Sequence, residues 1–200
     1  MKRGIDLVGA LIALAIFGIP MLIVALLIKV VDPGPVFFRQ ARLGLNGKPF
    51  RIFKFRSMKV NAPTIRNPDG SAYTNADDPR VTKFGSFLRT TSLDELPQFL
   101  NVVAGDMSLV GPRPDEVSQL EFYTEAEKAK LLVKPGITGP CQISGRNLNS
   151  WEERKRIDSE YALHPSLVTD LRILLLTIPH VLLRRGVNST EKGVENQPNR

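Results

Sequence analysis

Residues 7–28 read LVGALIALAIFGIPMLIVALLI, with no charged side chain among them. At a helical rise of about 1.5 Å per residue the stretch is ~33 Å long, enough for the hydrocarbon core of a bilayer. A helix without a polar face has no place in water at this length. The run therefore divides the chain into a membrane segment at residues 1–31 and a polar domain that works beside it. A cleaved leader fits poorly, because the run is long and KVVD, not a small-residue site, follows it.

Working outward, the flanks are basic on both sides. Lys2 and Arg3 precede the run; Lys29, Arg39, Arg42, Lys48, Arg51, Lys54, Arg56 and Lys59 follow it. The whole chain has 27 Lys+Arg against 20 Asp+Glu, yet residues 1–60 alone hold ten basic and two acidic side chains. Charge placed this way suits an anionic membrane surface or phosphorylated substrates better than a nucleic acid, for which no motif is present. A straight span would strand one basic cluster on the wrong side. Pro20, near the middle of the run, removes a backbone donor and bends a helix. Two topologies stay open on these grounds: a kinked transmembrane helix, and a helix broken at Pro20 that enters and leaves on one face. Cys141 is the single cysteine, so no internal disulfide forms.

Beyond residue 31 the pattern is α/β of the α+β kind, mainly helical with a small β-hairpin. DPGP at residues 32–35 is a turn. The β-rich runs VFFRQARLG and PFRIFKFRSM flank LNGK, whose Asn46-Gly47 is a hairpin signal. Residues 61–80 are polar and rich in Pro, Asn, Asp and Gly, a long loop. Short helices are expected over 82–91 and 93–103, a short strand within 105–114 before a rigid Pro-Arg-Pro corner, and a helix over 115–133. Residues 134–147, KPGITGPCQISGRN, read as a Gly/Pro loop. Ser150 with Glu153 forms a capping-box pattern ahead of a helix over 150–163. The apolar residues 166–185 are interrupted by Asp170, Arg172 and Pro179, so they pack in the core or lie at the membrane interface. The catalytic domain is expected over 32–185, and the polar residues 186–200 read as a disordered tail.

The chemistry centres on residues 91–98, TSLDELPQ. Ser92 and Glu95 fit a capping box, and that reading makes Asp94 and Glu95 helix-end charges in a non-catalytic membrane adaptor. If Pro97 opens the helix, both carboxylates lie just before a helix N-terminus, where the dipole favours their ionised forms. An ionised Asp, with an ordinary pKa of about 3.9, is a nucleophile that needs no general base. Attack on a phosphoryl group requires cations to offset repulsion. Adjacent carboxylates suit Mg²⁺, and Lys54, Arg56, Arg89, Arg113 and Arg146 are the basic side chains available. Arg113 stands out, because Pro112 and Pro114 fix its backbone.

Residues 88–114, LRTTSLDELPQFLNVVAGDMSLVGPRP, resemble the catalytic core of the monotopic polyprenyl-phosphate phosphoglycosyl transferases, the bacterial sugar transferases. DPGPVFFRQARLGLNGKPFRIFKFRSM, KPGITGPCQISGRN and IDSEYAL…DLRILLLTI continue the resemblance, which covers roughly residues 3 to 185. It implies transfer of a phospho-sugar from a UDP-sugar to a membrane polyprenyl (undecaprenyl) phosphate, with release of UMP and downstream glycosyltransferases as partners. By the same resemblance Asp94 is the nucleophile of a covalent phospho-sugar intermediate. Glu95 is its partner with Mg²⁺ at the pair, and Pro112, Arg113 and Pro114 recognise the uridine nucleotide. Arg89 joins the phosphate surroundings, and Asp158 and Tyr161 lie near the site. The implied location is the bacterial inner membrane, with the catalytic domain on the cytoplasmic face and a re-entrant N-terminal helix. Ile19 stands before Pro20 where family members place Ser, and the position after Gly139 lacks the usual bulky aromatic.

Overall fold

The computed structural model describes residues 1–73, 77–145 and 150–183. Helix α1, Lys2–Val31, takes up the whole apolar run as one helix with Pro20 inside it. The helix runs on through Pro20, which removes one backbone donor from it. α1 is long and apolar enough to cross a membrane, and only 11% of its most apolar window is buried. Ile19 and Leu22 are each 72% exposed.

Both ends of α1 rest on the same polar domain. At the N-terminal end Lys2 Nζ pairs with Asp170 at 2.6 Å and donates to the Val110 carbonyl at 3.0 Å. Arg3 donates to the carbonyls of Val102 and Val103. Asp6 is buried and accepts from Ser108 Oγ at 2.9 Å and from the Leu109 N–H at 3.0 Å. At the other end Val24 and Ile28 pack with Phe55 and Leu88, and Arg56 closes on the Asp32 carbonyl.

Strands β1 (Phe37–Leu43) and β2 (Pro49–Phe55) form the expected hairpin, with Phe37 opposite Phe55 and Leu43 opposite Pro49. Asn46 and Gly47 both take positive φ (55° and 72°), as the sequence at this turn requires. α2 (Lys83–Thr90) is capped by Thr82, whose side chain accepts from the Gly85 N–H. α3 (Gln98–Ala104) ends at Gly105, φ 94°, and Arg3 covers the carbonyls it leaves open. Asn101 of α3 is fully buried and takes the place of a neighbouring strand for β2. Its Oδ1 accepts the Phe53 N–H at 2.8 Å and its Nδ2 donates to the Arg51 carbonyl at 2.8 Å.

A second, parallel pair follows: β3 (Ser108–Val110) beside β4 (Gly136–Thr138). β4, and the short α4 (Pro140–Ile143), lie in what the sequence presents as an irregular loop. Backbones approach so closely here that a Cβ on Gly136 would sit 2.1 Å from the Gly111 nitrogen. The helix expected over 115–133 is instead two 3₁₀ stretches, Val117–Phe122 and Glu127–Leu132. Side-chain anchors prevail there over helix continuation: Gln119 is drawn to the Gly70 carbonyl, and Lys130 inward to Asp115.

α5 (Trp151–Leu163) starts at Ser150, whose Oγ accepts the Glu153 N–H, as expected. α6 (Leu167–Leu182) buries Ile173 and Asp170 but leaves Val168, Leu171, Leu175 and Ile178 between 59% and 79% exposed. Those four recur at helical spacing, an apolar stripe suited to an interface. The long loop over 61–80 is stapled rather than loose where described. Arg80 pairs with Asp78 at 2.7 Å and donates to the carbonyls of Pro63 and Tyr73. The tail beyond residue 183 lies outside the described residues.

Candidate active site

The chain between α2 and α3 makes the site. Ser92 sits in the left-handed region (φ 58°, ψ 15°), a conformation that costs a non-glycine residue of order 1 kcal/mol or more. The kink leads into a single 3₁₀ turn, Leu93–Glu95, with Pro97 next and α3 beginning at Gln98. Ser92 makes no side-chain cap, so the capping-box reading of this stretch does not describe the structure. Glu95 faces sideways instead. Its Oε1 lies 2.8 Å from Lys54 Nζ and 3.2 Å from Arg113 Nη1.

Asp94 is buried, 8% exposed. Burial first, and the neighbouring Glu95 charge second, push its carboxyl up to about 6, against the pull of Lys54, Arg89 and Arg113. The expected dipole-stabilised, low-pKa aspartate is therefore corrected: desolvation outweighs the end of a seven-residue helix. At pH 7 the group is still mainly ionised and is a stronger base than a surface aspartate. Burial also lowers the Lys54 ammonium, while Glu95 holds it up.

The other expected site residues divide clearly. Lys54 comes from β2, Arg113 from the corner after β3, and Arg89 from the last turn of α2. Arg89 Nε donates to Ser57 Oγ at 2.9 Å and lies within electrostatic reach of Asp94. The structure pairs Arg56 with Asp32 at the exit of α1, where it is buried. The Tyr161 hydroxyl donates to Asp170 in the network that holds Lys2. Asp158 lies behind the corner, where Oδ2 accepts the Arg113 N–H at 3.3 Å. Pro112 gives its carbonyl to the Gly136 N–H at 3.0 Å, and the Pro114 carbonyl accepts from Arg42. Arg146 lies outside the described residues.

Residues that sequence reading missed surround the corner. Lys130, in a stretch EKAK that looks like a solvated helix face, is 4% exposed and pairs with Asp115 and Asp158. Burial raises the Asp158 carboxyl more than Lys130 lowers it; for Asp115 burial is outweighed by Lys130 and the Tyr123 hydroxyl, and its carboxyl is lowered. Arg42 and Arg66 both reach Glu116, which ties the 61–80 loop to β1. A cavity of about 10 Å³ lies against the corner, lined by Pro112, Arg113, Pro114, Asp115 and Lys130 among others.

No group of three or more His, Cys, Asp or Glu side chains that would cage a metal occurs among the described residues. Asp94 and Glu95 alone suit the protein half of a Mg²⁺ site, because that ion keeps waters and substrate phosphates as its other ligands.

The family model for bacterial sugar transferases matches residues 1–184, which includes α1, the dyad and the corner. The chain belongs to the bacterial sugar transferase family. This sugar transferase is 46% identical over 193 residues to the galactosyl transferase CpsE of Streptococcus agalactiae serotype III (strain NEM316), covering 92% of its own length and 43% of that protein's. It is 45% identical over 186 residues to the UDP-glucose:undecaprenyl-phosphate glucose-1-phosphate transferase of Escherichia coli (strain K12), covering 89% of its own length and 39% of the other. The chain thus spans about two fifths of the length of these two relatives. Against the uncharacterized sugar transferase EpsL of Bacillus subtilis (strain 168) it is 42% identical over 190 residues, covering 95% and 91% of the two chains.

Proposed function

We propose that the protein transfers a sugar 1-phosphate from a UDP-sugar to undecaprenyl phosphate at the membrane surface, through a covalent intermediate on Asp94. The observation that carries this reading is the buried Asp94 carboxylate, held beside Glu95 within reach of Lys54, Arg89 and Arg113. The activity for which the Escherichia coli relative is named supports the same donor class and acceptor.

In this reading an Asp94 oxygen attacks the phosphorus that bears the sugar. The phosphoanhydride bond breaks and its bridging oxygen leaves on UMP. The undecaprenyl phosphate oxygen then attacks the same phosphorus, the acyl-phosphate bond breaks, and Asp94 returns as a carboxylate. Desolvation prepares Asp94 for attack, and the surrounding cations offset the repulsion between carboxylate and phosphate. Arg113, 42% exposed on its side chain, meets the nucleotide phosphates from the open side. Lys54 neutralises Glu95 so that the pair does not expel an anionic substrate. Mg²⁺, when bound at Asp94 and Glu95, supplies charge neutralisation on the phosphate oxygens.

The acceptor's location calls for a membrane-bound site, and α1 with the α6 stripe supports that placement. Both ends of α1 grip one polar domain, which supports the re-entrant, monotopic topology, with the basic flanks and the catalytic domain on the cytoplasmic face of the inner membrane. A spanning helix would separate its ends by a ~30 Å hydrocarbon layer.

The test is UMP release by the detergent-solubilised protein with Mg²⁺, undecaprenyl phosphate and a panel of UDP-sugars, beside Asp94→Asn. Lipid-dependent release that disappears in the variant is the expected result. Release that survives Asp94→Asn moves the nucleophile elsewhere and overturns the mechanism.

A further inference from the structure

The Pro112-Arg113-Pro114 corner has an open front and a buried back. At the front the Arg113 side chain reaches Glu95. At the back, Lys130 Nζ stands 2.8 Å from Asp115 Oδ2 and 3.2 Å from Asp158 Oδ2. Each carboxylate has its own hold on the corner. Asp158 Oδ2 also accepts the Arg113 N–H at 3.3 Å. That N–H is the only one the three residues possess, since proline has none. Asp115 follows Pro114 directly in the chain. Its carbonyl accepts the Leu43 N–H at 2.9 Å, and its carboxylate accepts from the Tyr123 hydroxyl.

We propose that Lys130 is a positioning residue for the nucleotide-sugar: by joining Asp115 to Asp158 it fixes the corner so that Arg113 stays on Glu95 beside Asp94. The inference rests on the transferase reading above. A lysine between two buried carboxylates is a poor device for stability alone, because desolvating three charges offsets most of their attraction. Asp158 makes the point sharper. It is 1% exposed, and its Oδ1 has no hydrogen-bond partner among the described residues. A buried acceptor left in that state costs the desolvation of the group with no hydrogen bond to offset it. An apolar filler would hold the same space without that cost but would leave the Arg113 amide unheld. The cluster is organised around orientation, and the group it orients is the cation at the mouth of the site.

The experiment uses the full chain with Mg²⁺, undecaprenyl phosphate and a UDP-sugar that the wild type turns over. It compares wild type, Lys130→Met and Lys130→Arg by the KM of each substrate, by calorimetric binding of UMP and by thermal melting. A misplacement of Arg113 by an ångström is expected to raise the UDP-sugar KM and the UMP Kd by about tenfold to a hundredfold in Lys130→Met. The KM for undecaprenyl phosphate stays within about twofold, and Lys130→Arg, whose fork reaches both carboxylates, recovers most of the loss. If Lys130→Met does not fold, the double variant Lys130→Met/Asp158→Asn removes one carboxylate with the cation and is read the same way. A variant with reduced specific activity or melting temperature, but with UMP affinity and both KM values of the wild type, overturns the proposal and leaves Lys130 a structural residue. A wild type that neither binds UMP nor turns over any UDP-sugar overturns the transferase reading, and the positioning role with it; that result is seen before any variant is compared.

Discussion

Asp94 pits function against stability within one side chain. Its carboxyl rises from 3.8 to about 6 on folding, chiefly through burial. A raised carboxyl means that the ionised form is the one folding disfavours. The associated stability is therefore complete below pH 3.8 and is lost as pH rises through about 6. Asp94→Asn keeps the neutral state at every pH. The variant is expected to be more stable than wild type at pH 8, by on the order of 1–3 kcal/mol, and equal to it near pH 4. Thermal melts at the two pH values check this, and a variant less stable at pH 8 would show that the charge is stabilised by its cations rather than tolerated. Activity runs the opposite way. The wild-type rate is expected to fall about tenfold per pH unit below pH 6, as the nucleophile protonates. A rate unchanged down to pH 5 would sink the assignment of Asp94.

At the scale of elements, the site depends on how α2 docks against the end of β2. Gly85 lies on the face of α2 that meets Ser57, and a Cβ there would stand 1.9 Å from the Ser57 carbonyl oxygen. In an isolated helix Gly→Ala gains about 1 kcal/mol. Here the overlap is with backbone, which cannot swing aside, so Gly85→Ala is expected to destabilise by about 1–3 kcal/mol net. The same displacement separates Arg89 from Ser57 Oγ, so kcat/KM for the UDP-sugar falls along with the melting temperature. An alanine variant as stable as wild type would mean that α2 has room to shift. The 3₁₀ turn Leu93–Glu95 shows why this site was only partly legible. The residue types of TSLDELPQ announced carboxylates near a helix start. The choice between capping and catalysis lay in the Ser92 kink and in two cations from distant segments, Lys54 and Arg113.

Over the whole molecule, α1 behaves as part of the domain along its polar ends and as a membrane element along its middle. Lys2, Arg3 and Asp6 bind β3, α3 and α6 at one end, and Val24 and Ile28 bind the hairpin side at the other. Ile16, Ile19 and Leu22 between them stay 63–72% exposed, an apolar surface that water does not stabilise. Topology is testable with single cysteines. Gly4 has open space around it, and Val31 is 60% exposed, while the native Cys141 is buried and its thiol is pushed up to about 11 by that burial. In inner-membrane vesicles of known sidedness, Gly4→Cys and Val31→Cys are both expected to react with a membrane-impermeant maleimide from the cytoplasmic face. Labelling of the two from opposite faces would establish a spanning helix and remove the monotopic reading.

The sequence by itself determined the long apolar helix, the hairpin at Asn46-Gly47, the Thr82–Thr91 and Ser150–Leu163 helices within a residue or so, and the carboxylate pair. These rest on interactions local in the chain: apolar runs, turn residues and caps. Tertiary structure alone decided the parallel pairing of β3 with β4, the collapse of 115–133 into 3₁₀ turns, and the use of Asn101 in place of a strand. It also paired Arg56 with Asp32 and Tyr161 with Asp170, and brought Lys130 in behind the site. Charged side chains look alike in a sequence, because each is equally at home in water. Which of them are stripped of water and paired depends on contacts between residues tens of positions apart, and those exist only once the chain has folded.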